Sequence, residues 1–163
     1  MATSTKSAKK PSKKTSNHRL TINRVLNAPR ALVFRAWTDP SHLVRWWGPE
    51  GFTIPECQMD VRVGGAWRTC MRSPDGNEYR VRGVYREIVK PERLVFTWAW
   101  EDENGQPKHE TIVTVTFAER AGKTAMRMVH GVFESKKARD SHGWGWNSTF
   151  VCLKDYLAQQ GRK

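Results

Sequence analysis

Asp140, Ser141 and His142 supply, in consecutive positions, the three residue types of a hydrolytic triad. Neighbours on a helix point about 100° apart, whereas a triad works because three side chains converge on one reacting atom. The run is therefore read as chance. Glu87 and His130 are a second pair with acid/base chemistry. Facing each other across a cavity they would act as general acid and base; enclosed in a core they would form a satisfied polar pair. The five histidines show no HxH or HExxH spacing, and Cys57, Cys70 and Cys152 show no CxxC pair, so neither a metal nor a disulfide framework is expected. No GxGxxG, P-loop or GxSxG run is present. No cofactor is expected, and no catalytic residue is assigned.

The elements that must position these residues are organised around the stretch from His142 to Leu157. Trp146, Phe150, Leu153 and Leu157, flanked by Thr149 and Tyr156, recur at the three-and-four spacing of one helix face. A helix from Ser135 to Gln160 would reach roughly 39 Å, enough to cross a sheet. Trp144, about 160° of helical rotation from Trp146, belongs at the mouth or flank of any cavity. Gly143 and Gly145 cost helix propensity, which points to close approach or flexing at that end.

Ahead of this helix the pattern is mostly of period two. An alternating run from His18 to Leu26 predicts a first strand. Two short helices follow: one carries Leu32, Val33, Ala36 and Trp37 and ends before Asp39-Pro40, and the other runs from a Ser41 cap to Trp47. Six strands come next, over Thr53 to Val61, Ala66 to Arg72, Tyr79 to Val89, Leu94 to Trp100, Thr111 to Phe117 and Thr124 to Val132. Turn signals such as Val63-Gly64-Gly65 and Ser73-Pro74-Asp75-Gly76-Asn77 join them. Short turns between successive strands make an antiparallel meander. The fold class read from this order is α+β, a seven-stranded antiparallel sheet curled around a long C-terminal helix.

Strand parity turns Trp67, Met71, Tyr85, Glu87, Trp98, Trp100, Met126, Met128 and His130 toward that helix, where they join His142, Trp146, Thr149 and Phe150. This aromatic, sulfur-rich lining admits two readings. Periodicity alone favours an interlocked core; a ligand pocket, mostly apolar with a few placed polar groups, is the other. Arg68, Arg72, Arg80, Arg82 and Arg86 take the outward parity. A three-residue turn would place Asp60 opposite Arg68 and Glu56 opposite Arg72, so the stripe reads as cross-strand ion pairs and not as a nucleic-acid site. It also lacks interleaved aromatics for stacking bases.

Much of the formal net charge of +12 sits in Lys6, Lys9, Lys10, Lys13 and Lys14. Residues 1–16 have almost nothing apolar to bury and read as a disordered tail, with residues 17–163 forming a single domain. The tail has the charge to graze nucleic acid or an acidic membrane, but a solubilising terminus is the favoured reading. Scattered cysteines and the lack of a signal-peptide core or membrane-spanning run point to a reduced, cytoplasmic setting.

Several segments together resemble a known family. They are Trp37-Thr38-Asp39-Pro40, Arg45-Trp46-Trp47-Gly48-Pro49, Asp60 with Arg62, Gly64-Gly65-Ala66-Trp67, Gly83-Val84-Tyr85-Arg86-Glu87-Ile88, Pro91-Glu92-Arg93-Leu94, Thr97-Trp98, and His142 with Gly145-Trp146. In order and spacing they are similar to the SRPBCC proteins of the activator of heat-shock-protein-90 ATPase homologue 1-like group, within the START-like, Bet v 1-like helix-grip superfamily. The resemblance spans about residues 18 to 158. It implies the same layout and, between sheet and helix, a cavity that takes apolar or amphipathic small molecules. The leading expectation is a protein that binds a small apolar or aromatic molecule. A protein-interaction or chaperone-regulating module is one alternative, recognised by an exposed apolar patch around Trp46, Trp47 or Trp144. An enzyme of the cyclase or hydrolase kind using Glu87 or His130 is the other.

Overall fold

The computed structural model describes residues 18–161; the lysine-rich segment 1–16 lies outside them. Strand β1 (Leu20–Leu26) leads into helices α1 (Arg30–Thr38) and α2 (Pro40–Leu43). Strands β2 (Thr53–Met59), β3 (Ala66–Arg72), β4 (Glu78–Val89), β5 (Arg93–Trp100), β6 (Thr111–Arg120) and β7 (Lys123–Gly131) follow, and α3 (Lys136–Gln160) closes the fold. All neighbours pair antiparallel in one seven-stranded sheet of order β1-β7-β6-β5-β4-β3-β2. The meander is as expected, with β1 added beside β7.

Helix α3 begins where the sequence places it, with the Ser135 hydroxyl accepting from Ala138 N–H at 3.0 Å. This satisfies one of the unpaired amide donors of the first turn. The face it buries carries Trp146, Thr149, Phe150, Leu153, Tyr156 and Leu157. Gly143 is also buried, and a Cβ there would sit 3.3 Å from Leu20 Cδ1 of β1. The missing side chain therefore lets this end of the helix lie close to the sheet edge. Gly145 faces open space, with nothing within 4 Å of a built Cβ.

Helix α2 is shorter than the expected Ser41 to Trp47 segment, and its cap is Asp39 instead of Ser41. The Asp39 carboxylate accepts from both the amide and the hydroxyl of Ser41, because the proline that follows fixes the first turn in helical geometry. Beyond Leu43 the chain continues in turns that bury Trp46 and Trp47. Trp37 of α1 meets both, with ring centroids 4.9 and 6.0 Å away, and stacks on Trp146 at 6.0 Å. Phe96, Phe117 and Phe150 complete this aromatic cluster. It fills the space between sheet and helix on the side where α1 and α2 lie.

Two expectations about register need correction. The β2–β3 connection is wider than a three-residue turn: Asp60 N–H donates to Ala66 C=O and Met59 pairs with Trp67. Asp60 and Glu56 are therefore not opposite Arg68 and Arg72. Asp60 pairs with Arg62, Arg72 with Glu78, and Arg68 makes a two-pronged bond at 2.6 and 2.8 Å to Glu101. That carboxylate side chain is only 2% exposed, and the Arg68 guanidinium holds it below its ordinary titration range. Arg80 and Arg82 also lie within 4.0 Å of carboxylates, so the arginine stripe is a set of ion pairs whose partners differ from the expected ones.

The second correction concerns β4. Its pairing with β5 shifts between Tyr85 and Glu87, an irregularity that reverses the parity beyond it. Ile88, not Glu87, packs against the core. Just before the shift, Gly83 approaches β5 so closely that a Cβ would lie 1.8 Å from Thr97 C=O. Val84 N–H takes the Thr97 hydroxyl as its acceptor at 2.8 Å. No side chain fits at Gly83, so Gly83→Ala is expected to destabilise the fold by about 2–3 kcal/mol, the upper part of the overpacking range. A lowered midpoint in urea denaturation checks this.

Candidate functional site: a cavity between the sheet and the C-terminal helix

Three walls enclose a cavity of about 380 Å³. The sheet contributes Met71, Tyr79, Trp98 and Trp100; α3 contributes Ser141, His142, Trp144, Gly145, Trp146 and Thr149; and the segment after α2 contributes Trp47, Gly48, Pro49 and Phe52. Gly48 turns that last segment with a φ of +89°, a conformation that favours glycine. Its far end is tied to the helix where Glu50 N–H donates to Ser148 Oγ at 2.9 Å. Phe52 and Tyr79 lie 6.2 Å apart, and Trp144 is 68% exposed at the mouth while Trp146 is buried. The helical register read from the sequence is therefore the register present.

Two histidines tie the helix to the sheet, His142 on the cavity wall and His130 behind it. Trp146 Nε1–H donates to His130 Nδ1 at 3.0 Å, and His130 Nε2 lies 2.7 Å from Thr111 Oγ1, whose hydroxyl reaches Trp98 C=O at 3.2 Å. An indole can only donate. His130 must therefore be neutral with its proton on Nε2, completing a chain of donors and acceptors. His142 shows the opposite tautomer: its Nε2 accepts from Trp100 Nε1–H at 2.8 Å, and its Nδ1–H reaches Ala138 C=O at 2.7 Å. The two rings lie 5.4 Å apart, and Phe133 packs 4.5 Å from each.

Of the residues read as cavity-lining, Met71, Trp98, Trp100, His142, Trp146 and Thr149 are brought together on its walls. Trp67 and Tyr85 instead border a separate void of only about 20 Å³ together with Trp37 and Thr69. Met126, Met128 and Phe150 interlock as solid core. His130 stands behind the wall, fully buried, with both nitrogens engaged. Glu87 is not in the cavity at all. The shift in β4 sends it outward to Arg93, whose Nε donates to it at 2.7 Å. Neither Glu87 nor His130 can exchange a proton with a molecule in the cavity from where it stands.

Periodicity could not supply the loop residues Trp47, Pro49 and Phe52, because they come from an irregular segment folded over the mouth. Tyr79 was legible only as the start of a strand. Asp140, Ser141 and His142 do diverge: Asp140 pairs with Lys136 and Arg139, Ser141 reaches the mouth, and His142 turns inward. Among the described residues no group of three or more His, Cys, Asp and Glu is placed to hold a metal ion. No helix there is long and apolar enough to cross a membrane.

A seven-stranded antiparallel sheet closed on a C-terminal helix, with two short helices after the first strand and a cavity between the layers, defines a helix-grip domain. The chain belongs to the activator of Hsp90 ATPase homolog 1-like protein family, whose model matches residues 27–158. Solved structures agree. The AHSA1 protein of Silicibacter pomeroyi is 27% identical with a TM-score of 0.79, over 87% of this chain and 99% of that one. A protein from Arthrobacter aurescens is 26% identical with a TM-score of 0.79, over 89% and 88%. One from Chromobacterium violaceum is 28% identical with a TM-score of 0.76, over 86% and 96%. Comparison with curated proteins gives no match.

Burial lowers the pKa of His130 well below 6.5, and that of His142 in the same direction. Both accept an indole N–H that protonation would displace. A histidine whose folded pKa is depressed binds fewer protons folded than unfolded, so stability is full above the unfolded value near 6.5 and is lost as pH falls below it. The midpoint of urea denaturation is expected to hold steady from pH 8 to 7 and to drop between about pH 6.5 and 5, above the range in which most carboxylates titrate. A midpoint that stays flat across that interval contradicts the neutral assignment.

Proposed function

We propose that this protein binds a small, uncharged aromatic molecule in the cavity between the sheet and α3. The observation that carries this reading is the cavity's composition. Its walls include Trp47, Trp98, Trp100, Trp144 and Trp146, and no Lys, Arg, Asp or Glu side chain lines it. At about 380 Å³ it falls at the small end of the roughly 300–1,000 Å³ typical of ligand pockets. A charged ligand would leave its hydration shell without meeting a counter-charge, whereas a planar apolar one gains offset and edge contacts with the indoles. The protein-interaction alternative finds less support, since Trp46 and Trp47 are 1% and 5% exposed and of that trio only Trp144 is open to solvent.

Gly145 provides the test. It lines the cavity, its built Cβ meets no atom within 4 Å, and it lies inside α3. Gly145→Leu should fill the cavity while stabilising the helix by up to about 1 kcal/mol. Titrating a panel of neutral aromatic compounds against tryptophan emission is expected to give saturable quenching in the wild type. In Gly145→Leu the quenching should be lost with the thermal midpoint unchanged or raised. A panel without any saturable change, or equal binding by the variant, overturns the reading.

A further inference from the structure

The side chains that line the cavity divide by exposure, and their free hydrogen-bonding capacity divides in the same way. Trp47, Met71, Trp98, Trp146 and Thr149 form the interior wall, each no more than 5% exposed. Trp100 and His142 are half-buried. Tyr79, Ser141 and Trp144 are exposed and form the rim, Tyr79 at 44% and Trp144 at 68%.

Inside, no side-chain donor is left for a guest. Trp47 Nε1–H donates to Thr69 Oγ1 at 3.1 Å, Trp146 Nε1–H to His130, and the Thr149 hydroxyl to Gly145 C=O at 2.8 Å. Trp100 Nε1–H donates to His142, whose own Nδ1–H reaches Ala138 C=O. The Trp98 Nε1–H is enclosed by protein and does not open onto the cavity, and Met71 carries no donor. At the rim the reverse holds. The hydroxyls of Tyr79 and Ser141 and the indole N–H of Trp144 have no hydrogen-bond partner among the described residues, and all three belong to exposed side chains. An oxygen acceptor carried into the interior would therefore lose its water and meet no side-chain donor. Held at the rim, it keeps water and has three donors beside it.

We propose that the cavity takes the aromatic end of a longer molecule, inserted end-on, whose oxygen acceptors, a carboxylate included, all lie at the other end and stay outside at the rim of Tyr79, Ser141 and Trp144. This rests on the ligand-binding reading of the same cavity and confines its exclusion of charge to the buried end. The ligand is then not limited to the size of the cavity, because only its ring system has to fit. A molecule with polar groups at both ends is rejected in either orientation, since one of them must be buried without a partner.

The test compares naphthalene-2,3-dicarboxylate with naphthalene-2,6-dicarboxylate by calorimetric titration at about pH 7.5, where carboxylates are ionised. The isomers share ring, formula and charge, so attraction to a positively charged protein is the same for both. They differ in that the carboxylates leave one end of the ring system in the first and opposite ends in the second. The 2,3 isomer is expected to bind wild-type protein on the order of a hundredfold more tightly, because the 2,6 isomer must bury an unpaired carboxylate. Gly145→Leu should abolish that binding, which separates the cavity from the arginines of the outer face. The neutral reference is 2-ethylnaphthalene, followed by tryptophan emission. With the reference bound, equal affinity for the isomers, no binding of the 2,3 isomer, or 2,3 binding that persists in Gly145→Leu overturns the end-on arrangement and leaves the cavity a binding site. Binding of none of the three probes overturns the arrangement and the ligand-binding reading together.

Discussion

The hydrogen bond from Trp146 Nε1–H to His130 Nδ1 fixes the geometry on which the rest of the interior depends. It joins the middle of α3 to the far end of β7 and continues through Thr111 to the backbone of β5. Because an indole only donates and His130 is fully buried, the bond needs a neutral imidazole in one tautomer. The bond sets the rotation of the helix, so that Trp146 faces the sheet and Trp144 the solvent. It also sets the distance at which the helix stands off. The Trp100–His142 pair is a second tie nearer the cavity mouth. Each tie includes an indole that also lines the cavity, Trp146 in one and Trp100 in the other, so the elements that hold the layers together also shape the space between them.

How that space is divided follows from side-chain volume. On one side α1 sends Phe34 and Trp37, and the turns after α2 send Trp46, into a closed aromatic cluster with Phe96, Phe117 and Phe150. On the other side the helix presents Ser141, Gly145 and Thr149 toward the ends of β3, β4 and β5. Small residues facing tryptophans leave a gap between the layers, whose separation the two histidine ties fix. The cavity is thus bounded by the residue sizes along one helix and by the reach of two short helices on the opposite side.

This division explains what was legible in the sequence. Period-two alternation placed Trp67, Met71, Trp98, Trp100, Met126, Met128 and His130 on the concave face, where all seven are found. Parity reports which way a side chain points, but not what else occupies the space it points into. Met126 and Met128 therefore proved to be core and Met71 a wall. Glu87 failed for a different reason: one irregularity at Tyr85 inverts the alternation beyond it, and only the close approach of Gly83 to β5 marks the place. The residues of the segment from Trp47 to Phe52 carry no periodic signal at all. Their position depends on Gly48 and on a tie to Ser148, which lies about a hundred residues further along the chain.

Charge is arranged so that it does not reach the cavity. The arginines of β3 and β4 are held on the convex face by Glu56, Glu78 and Glu101, the last of these buried beneath Arg68 and Arg82. Left unpaired, these arginines would impose a local positive field on the interior, and such fields reach furthest through low-dielectric walls. Pairing the arginines across the strands keeps their field local, and the two interior histidines stay neutral because burial disfavours the charged ring and each accepts a hydrogen bond from an indole N–H. What remains along the cavity is a set of indole faces and edges with no charged side chain among them. The fold thus keeps charge on the convex face of the sheet and aromatic surface on the concave one.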